Sequence, residues 1–171
     1  MNALAIILRL VHIISGVYWA GTMFFMVTFL EPTLRTMGPD GGKVMMGLAQ
    51  RGFMKVLPFV AILTLLSGLW LLWILSGGFD PTYMASPMGM ALSTGGGFAI
   101  VGFLLGLTII RPTTLKMTKI GGAMASADDA TRKTMMAEMN QLRARVGLWS
   151  RIVFALLLGT VALMAVARYL T

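Results

Sequence analysis

Four long apolar runs determine what this chain can fold into. Each comes close to the roughly 20 apolar residues that cross the hydrocarbon core of a bilayer. They cover about Leu4–Leu30, Phe53–Ser76, Gly95–Ile110 and Gly147–Leu170. Charged residues make up only 12% of the chain, about half their share in a typical soluble domain. We therefore expect residues 1–171 to form a single integral membrane domain, an all-α, four-helix transmembrane bundle.

The distribution of basic residues predicts how this bundle is oriented. The first connection, residues 31–55, holds four lysines and arginines, and the third, residues 111–151, holds eight. The second connection, residues 77–94, holds none. Because lysine and arginine concentrate in cytoplasmic loops, both termini are predicted to lie outside the cytoplasm. The net charge of +8 thus reflects orientation and contact with anionic lipid, and we expect no nucleic-acid partner.

The third connection has the pattern of a helix. Ser126 precedes Asp128 and Asp129, as a capping residue precedes the acids of a first helical turn. No proline follows, so the fourth span is expected to extend from there as a cytoplasmic helix. Its apolar side chains recur at steps of three and four residues, which predicts packing on a neighbour such as residues 41–53. These side chains are Met135, Met136, Met139 and Leu142.

Pairs of small residues one helical turn apart support a structural hypothesis. Such pairs occur in three of the apolar runs and allow helix backbones to approach closely within a membrane. They are Gly16 with Ala20, Gly102 with Gly106, and Ala155 with Gly159. On this hypothesis the chain is a structural or accessory subunit of a homo-oligomer or of a larger membrane complex.

The first span carries the strongest functional signal. It contains His12, the one histidine of the chain, and an ionisable group inside a span is a functional hypothesis by default. The helix face through His12 also presents Arg9, Gly16 and Trp19. A neutral imidazole can ligate haem iron, Gly16 would leave room for the flat macrocycle, and Arg9 could pair with a propionate. These four residues therefore predict a haem b site. The alternative is that His12 only donates one hydrogen bond to a neighbouring helix.

Three methionines in the second connection raise copper as another ligand. Met84, Met88 and Met90 place three thioethers within seven residues, and soft thioethers select Cu(I). A copper site would thus use these methionines with His12. The chain has no cysteine, which excludes thiolate metal sites and disulfides.

The first span also resembles a known group of proteins. The resemblance is carried by His12-x6-Trp19-Ala20-Gly21, then Phe24-Phe25 and Pro32. This pattern is similar to the first helix of small bacterial membrane proteins of the copper-resistance D type and of the membrane-bound, haem-containing protoporphyrinogen oxidase type. The resemblance implies a place in the bacterial inner membrane and a haem or metal ligand at His12. It does not extend to the oxidase activity, because the third apolar run lacks the basic residue found in that type.

The sequence offers no catalytic constellation. It contains no phosphate-binding GxxxxGK[ST], no HExxH and no serine nucleophile elbow, so the sequence assigns no catalytic residue and leaves open whether the chain is an enzyme. A single histidine cannot supply two imidazole ligands. A second ligand would be a methionine, the His12 of another protomer, or a residue of a partner chain.

Overall fold

The computed structural model describes residues 3–170, apart from the side chains of Pro39 and Ala125. Met1, Asn2 and Thr171, which belong to the predicted domain, lie outside the described residues. Residues 3–170 contain helices and turns and no strand. The helices are α1 (Ala3–Thr36), α2 (Pro39–Gln50), α3 (Phe53–Leu75), α4 (Pro81–Ala85), α5 (Pro87–Ala123) and α6 (Asp129–Tyr169).

The long helices form a four-helix bundle. Within the described residues, α1, α3, α5 and α6 are long and apolar enough to span a membrane. They pair as two hairpins, α1 with α3 and α5 with α6. A core that includes Trp19, Ala61 and Leu157 joins the hairpins, whereas side chains such as Val17 (69% exposed) face outward. Apolar residues on the outer surface suit contact with lipid, so the predicted all-α transmembrane bundle is confirmed.

The helix that contains the third predicted span does not end at Arg111 and Pro112. Helix α5 passes through this point and ends only at Ala123. A π-helical turn, Gly106–Ile110, lies immediately before the proline. Proline has no N–H and its ring crowds the preceding turn, and a π turn widens the helix where the regular hydrogen bond is lost.

Helix α1 has the same arrangement of a π turn before a proline, at Pro32. A π turn, Met26–Leu30, precedes this proline, and the helix continues to Thr36. In each helix the threonine after the proline donates its hydroxyl to the carbonyl oxygen four residues earlier. The bonds are Thr33 to Phe29 at 2.8 Å and Thr113 to Ile109 at 2.6 Å.

The same helix begins eight residues before Gly95, the predicted start of the third span. Helix α5 starts at Pro87, where the Ser86 hydroxyl accepts a hydrogen bond from the N–H of Gly89 at 3.1 Å. The glycine-rich stretch is helical because it packs closely on α6. A Cβ atom at Gly95 would lie 3.4 Å from both the carbonyl oxygen of Thr160 and Cβ of Leu163. Met88 and Met90, predicted in a loop, thus lie on a helix.

Helix α6 is the long extended helix that the sequence predicts. Its capping residue is Asp128, two residues after the expected Ser126, and its carboxylate accepts from the N–H of Thr131 at 3.1 Å. The apolar face of its first half packs on the end of α5. Met139 is buried beside Gly121, and Lys116 forms an ion pair with Glu138 at 2.6 Å. The neighbour is therefore α5, and not the expected run 41–53.

Candidate functional site

The ring of His12 is held by the backbone of α3. Its Nδ1 atom lies 2.9 Å from the carbonyl oxygen of Thr64, and the Ser67 hydroxyl oxygen lies 3.4 Å from the same nitrogen. Because a carbonyl oxygen can only accept, Nδ1 carries the proton and donates it. The lone pair of the neutral ring is then on Nε2, which has no hydrogen-bond partner among residues 3–170. A metal-ligating histidine is commonly oriented in this way, by a hydrogen bond from its other ring nitrogen to a backbone carbonyl oxygen.

A glycine of α3 makes this ring position possible. A Cβ atom at Gly68 would lie 2.6 Å from Cε1 of His12 and 3.0 Å from Nδ1. Any side chain at position 68 would therefore displace the imidazole. The sequence analysis did not identify Gly68, Thr64 or Ser67, because their role depends on how α1 packs against α3.

A cavity of about 830 Å³ lies beside His12 and is lined by all four spanning helices. It is at the end of the bundle that holds residues 3, 75–86 and 167–170, which we call the Asp80 end. Six predicted site residues line it, namely Arg9, His12, Gly16, Trp19, Met84 and Met88. Most of the other lining residues are apolar, and the volume is within the usual range for small-molecule sites, roughly 300–1,000 Å³. The structure thus brings the predicted haem residues and two of the predicted copper ligands into one space.

Met90 does not join this group. It is 53% exposed and is not among the residues that line the cavity. Met88 and Met90 are two residues apart on α5, so they point about 200° apart around the helix axis. The predicted site of three thioethers is therefore not assembled within this chain.

The glycines at the cavity have two different roles. A Cβ atom at Gly16 would touch the methyl group of Thr64 at 3.5 Å, so this glycine brings α1 close to α3. A Cβ atom at Gly96 or Gly97 would meet nothing within 4 Å. Gly16, which was expected to leave room for a macrocycle, lines the cavity, and Gly96 and Gly97 add open space on α5.

Trp19 closes the cavity at the side away from the Asp80 end. Its side chain is 5% exposed, and its ring meets the ring of Phe103 edge-on, with centroids 6.5 Å apart. It also lines a second, smaller cavity of about 130 Å³ on the opposite side, toward α2 and Arg111. Trp19 therefore separates the two spaces and does not fill either of them.

The cavity is cationic. Twelve of the 14 lysines and arginines lie in residues 31–55 and 111–151, and the remaining two, Arg9 and Arg168, both line this cavity. No aspartate or glutamate is among the lining residues that the structure describes. Neither arginine takes part in an ion pair within residues 3–170. The guanidinium of Arg168 donates to the Tyr169 hydroxyl and lies over its ring, 4.6 Å from the centroid.

The structure gives little support to a bare metal ion held only by protein side chains. Among residues 3–170, no three histidine, cysteine or acidic side chains come together as a metal site. Metal binding at this cavity would therefore depend on His12 with thioethers, or on a metal that arrives inside a larger ligand.

No family model matches this chain, and neither a curated protein nor a solved structure matches it. The resemblance to the copper-resistance D and haem-containing oxidase types therefore stays a prediction from the residues of the first span. What the cavity can bind has to be argued from its own chemistry.

Proposed function

We propose that this chain is a membrane protein that binds one haem b in the cavity beside His12. The observation that carries the proposal is the combination of one oriented imidazole and two arginines without acidic partners in a large apolar space. The Nε2 atom of His12 would ligate the iron, and Arg9 and Arg168 would hold the propionates. Arginine pairs with carboxylates through charge-assisted, often bidentate hydrogen bonds.

The charge of the cavity favours haem over a bare cation. Two arginines in a cavity without an acidic lining residue among residues 3–170 repel Cu(I), whereas a ferric porphyrin with two ionised propionates carries a net negative charge. The cavity volume of about 830 Å³ also far exceeds what a single ion needs. The apolar lining suits the faces of the macrocycle, and the glycines of α5 allow it to approach the backbone.

Copper is a second candidate, favoured by one observation. His12, Met84 and Met88 line the same cavity and together offer one imidazole and two thioethers. Such ligands suit Cu(I), but the site lacks the negative charge that would offset its two arginines. We therefore place copper second.

The proposed role is redox or metal handling in the bacterial inner membrane. Haem supplies one-electron chemistry when bound. The chain supplies the ligand, the apolar surroundings and the charges that set the reduction potential of the haem. With both termini outside the cytoplasm, the cavity would lie in the outer half of the bilayer.

A titration of detergent-purified protein with haemin tests the proposal. We expect the wild type to bind one haemin per chain with a sharp Soret band, and His12→Ala to bind at least tenfold more weakly. Ile14→Ala, on the same helix but 68% exposed, is the matched control and should bind like the wild type. Equal binding by wild type and His12→Ala would overturn the proposal, and so would absence of binding by the wild type. Either result would favour the accessory-subunit hypothesis, which predicts a stable homo-oligomer or co-purifying partners.

A further inference from the structure

The two hairpins of the bundle repeat one local pattern. Their first helices share a π turn, a proline and the same spaced residues 80 positions apart. The shared pattern is Thr28-x3-Pro32-Thr33-x3-Met37 in α1 and Thr108-x3-Pro112-Thr113-x3-Met117 in α5. Internal repeats of this kind place related surfaces on either side of a central axis, where membrane proteins often bind ligands.

A threonine contact relates the second helices of the hairpins. Thr64 of α3 and Thr160 of α6 are each 7% exposed. Thr64 packs its methyl group against Gly16, while Thr160 donates its hydroxyl to the carbonyl oxygen of Gly95 at 2.9 Å. Gly16 corresponds to Gly96 in the repeat, one residue from Gly95. Each threonine is thus buried against the other helix of its hairpin at a nearly corresponding level, Thr64 through its methyl group and Thr160 through its hydroxyl.

One helical turn from each threonine, toward the Asp80 end, the hairpins differ. In the first hairpin His12 of α1 lies over Gly68, four residues after Thr64. In the second, Leu92 stands at the position of His12. Met164 stands at the position of Gly68, four residues after Thr160. In the second hairpin both positions therefore carry long side chains, and Leu92 and Met164 line the cavity together with His12.

We propose that Met164 is the second axial ligand of the haem, opposite His12. This assignment rests on the haem site proposed above. His12 and Met164 belong to different hairpins, each one helical turn beyond its hairpin's threonine, and both line the cavity, so they could approach a haem from its two faces. The Cγ atom of Met164 would be 3.5 Å from a Cβ atom at Gly95, so the side chain lies against α5 within the bundle.

The other methionines of the cavity fit this role less well. Met88 is four residues before Leu92 on α5, which places it about 6 Å nearer the Asp80 end than the level of His12. Met84 is on the separate short helix α4. A thioether opposite an imidazole raises the reduction potential of haem relative to two imidazoles.

Haemin-loaded protein and its absorption and electron paramagnetic resonance spectra test this assignment. We expect a six-coordinate, low-spin haem in the wild type and a high-spin haem in Met164→Leu. Met164→His should restore the low-spin state with a lower midpoint potential, and this rescue excludes a folding defect as the cause. Met90→Leu is the matched control and should resemble the wild type, because Met90 is 53% exposed and does not line the cavity. Met84→Leu and Met88→Leu test the other two thioethers that line it.

The outcomes separate the ligand assignment from the haem site itself. A high-spin wild type, or a low-spin Met164→Leu with the wild-type spectrum, would overturn Met164 as a ligand while the haem site stands. A high-spin state in Met88→Leu or Met84→Leu alone would move the assignment to that methionine. If the wild type bound no haemin, both the haem site and the ligand assignment would be overturned.

Discussion

The Nδ1 atom of His12 donates a hydrogen bond to the carbonyl oxygen of Thr64 across 2.9 Å. The sequence left two alternatives for His12. Either it only donates one hydrogen bond to a neighbouring helix, or it ligates a metal. The structure combines the two, because the bond to Thr64 uses one nitrogen and fixes the lone pair on the other. The cavity beside the ring provides the space that a ligating histidine needs.

Gly68→Ala should weaken haemin binding although residue 68 has no group that could bind haem. The added methyl group would lie 2.6 Å from Cε1 of His12, so the ring must turn and its bond to Thr64 is lost. Loss of a supporting contact to a ligand typically costs about 10- to 100-fold in affinity. Gly21→Ala is the control, because a Cβ atom there meets nothing within 4 Å. Equal affinity of the two variants in a haemin titration would contradict the proposed ring position.

Replacing either cavity arginine should weaken the binding of haemin through its carboxylates. We expect Arg9→Gln and Arg168→Gln each to lose about 1 kcal/mol, roughly fivefold in Kd, because these partly exposed ion pairs are screened by solvent. Arg143→Gln, in the third connection, should have no effect. Haemin dimethyl ester, whose carboxylates are blocked, should bind wild type and variants alike. If the arginine variants also bound the ester more weakly, the arginines would not be recognising carboxylates.

Two adjacent glycines of α2 test the fold without any ligand. A Cβ atom at Gly41 would clash with the carbonyl oxygen of Leu34, whereas one at Gly42 meets nothing within 4 Å. Gly41→Ala should therefore destabilise the protein by about 1–3 kcal/mol, the usual cost of overpacking. Gly42→Ala should stay within about 1 kcal/mol of the wild type. Thermal unfolding in detergent measures both, and equal Tm values would contradict the packing of α2 on the end of α1.

The start of α6 should depend on pH through Asp128. The hydrogen bonds from the hydroxyl and the N–H of Thr131 hold the pKa of the Asp128 carboxyl below its usual range. A lowered folded-state pKa means that the cap stabilises the helix above the unfolded pKa, about 3.9, and is lost as the pH falls through the lower value. Hydrogen exchange should show the first turn of α6 opening below about pH 4 in the wild type.

Two variants at this position separate the cap from its charge. Asp128→Asn keeps an acceptor for the Thr131 N–H and should remove the pH dependence, whereas Asp128→Ala should leave the turn open at every pH. A first turn that stays equally protected from exchange in all three proteins would show that Asp128 is not the cap.

Much of the fold follows from the sequence, because apolar length and sparse charge are sufficient to define four spans. The ends of the spans were less predictable. Pro32 and Pro112 look like helix terminators, yet π turns and the hydroxyls of Thr33 and Thr113 allow both helices to continue. The repeated Thr-x3-Pro-Thr pattern could have revealed that the two prolines have the same role.

The site was predictable on one helix and not between helices. Helical periodicity alone placed Arg9, His12, Gly16 and Trp19 on one face, and all four line the cavity. Gly68, Met164 and Arg168 join them through the packing of α3 and α6, which no local pattern encodes. The run of small residues Ser67-Gly68 in an otherwise bulky span was the available signal.

The most direct test of the account is the absorption spectrum, oxidised and dithionite-reduced, of the protein purified from membranes without added cofactor. The account predicts a Soret band and reduced α and β bands in the wild type. It predicts that these bands are lost in His12→Ala, while the unfolding temperature of this variant equals that of the wild type without haem. A wild-type protein that is colourless when its host makes ample haem, or a His12→Ala variant with the full wild-type spectrum, would contradict it.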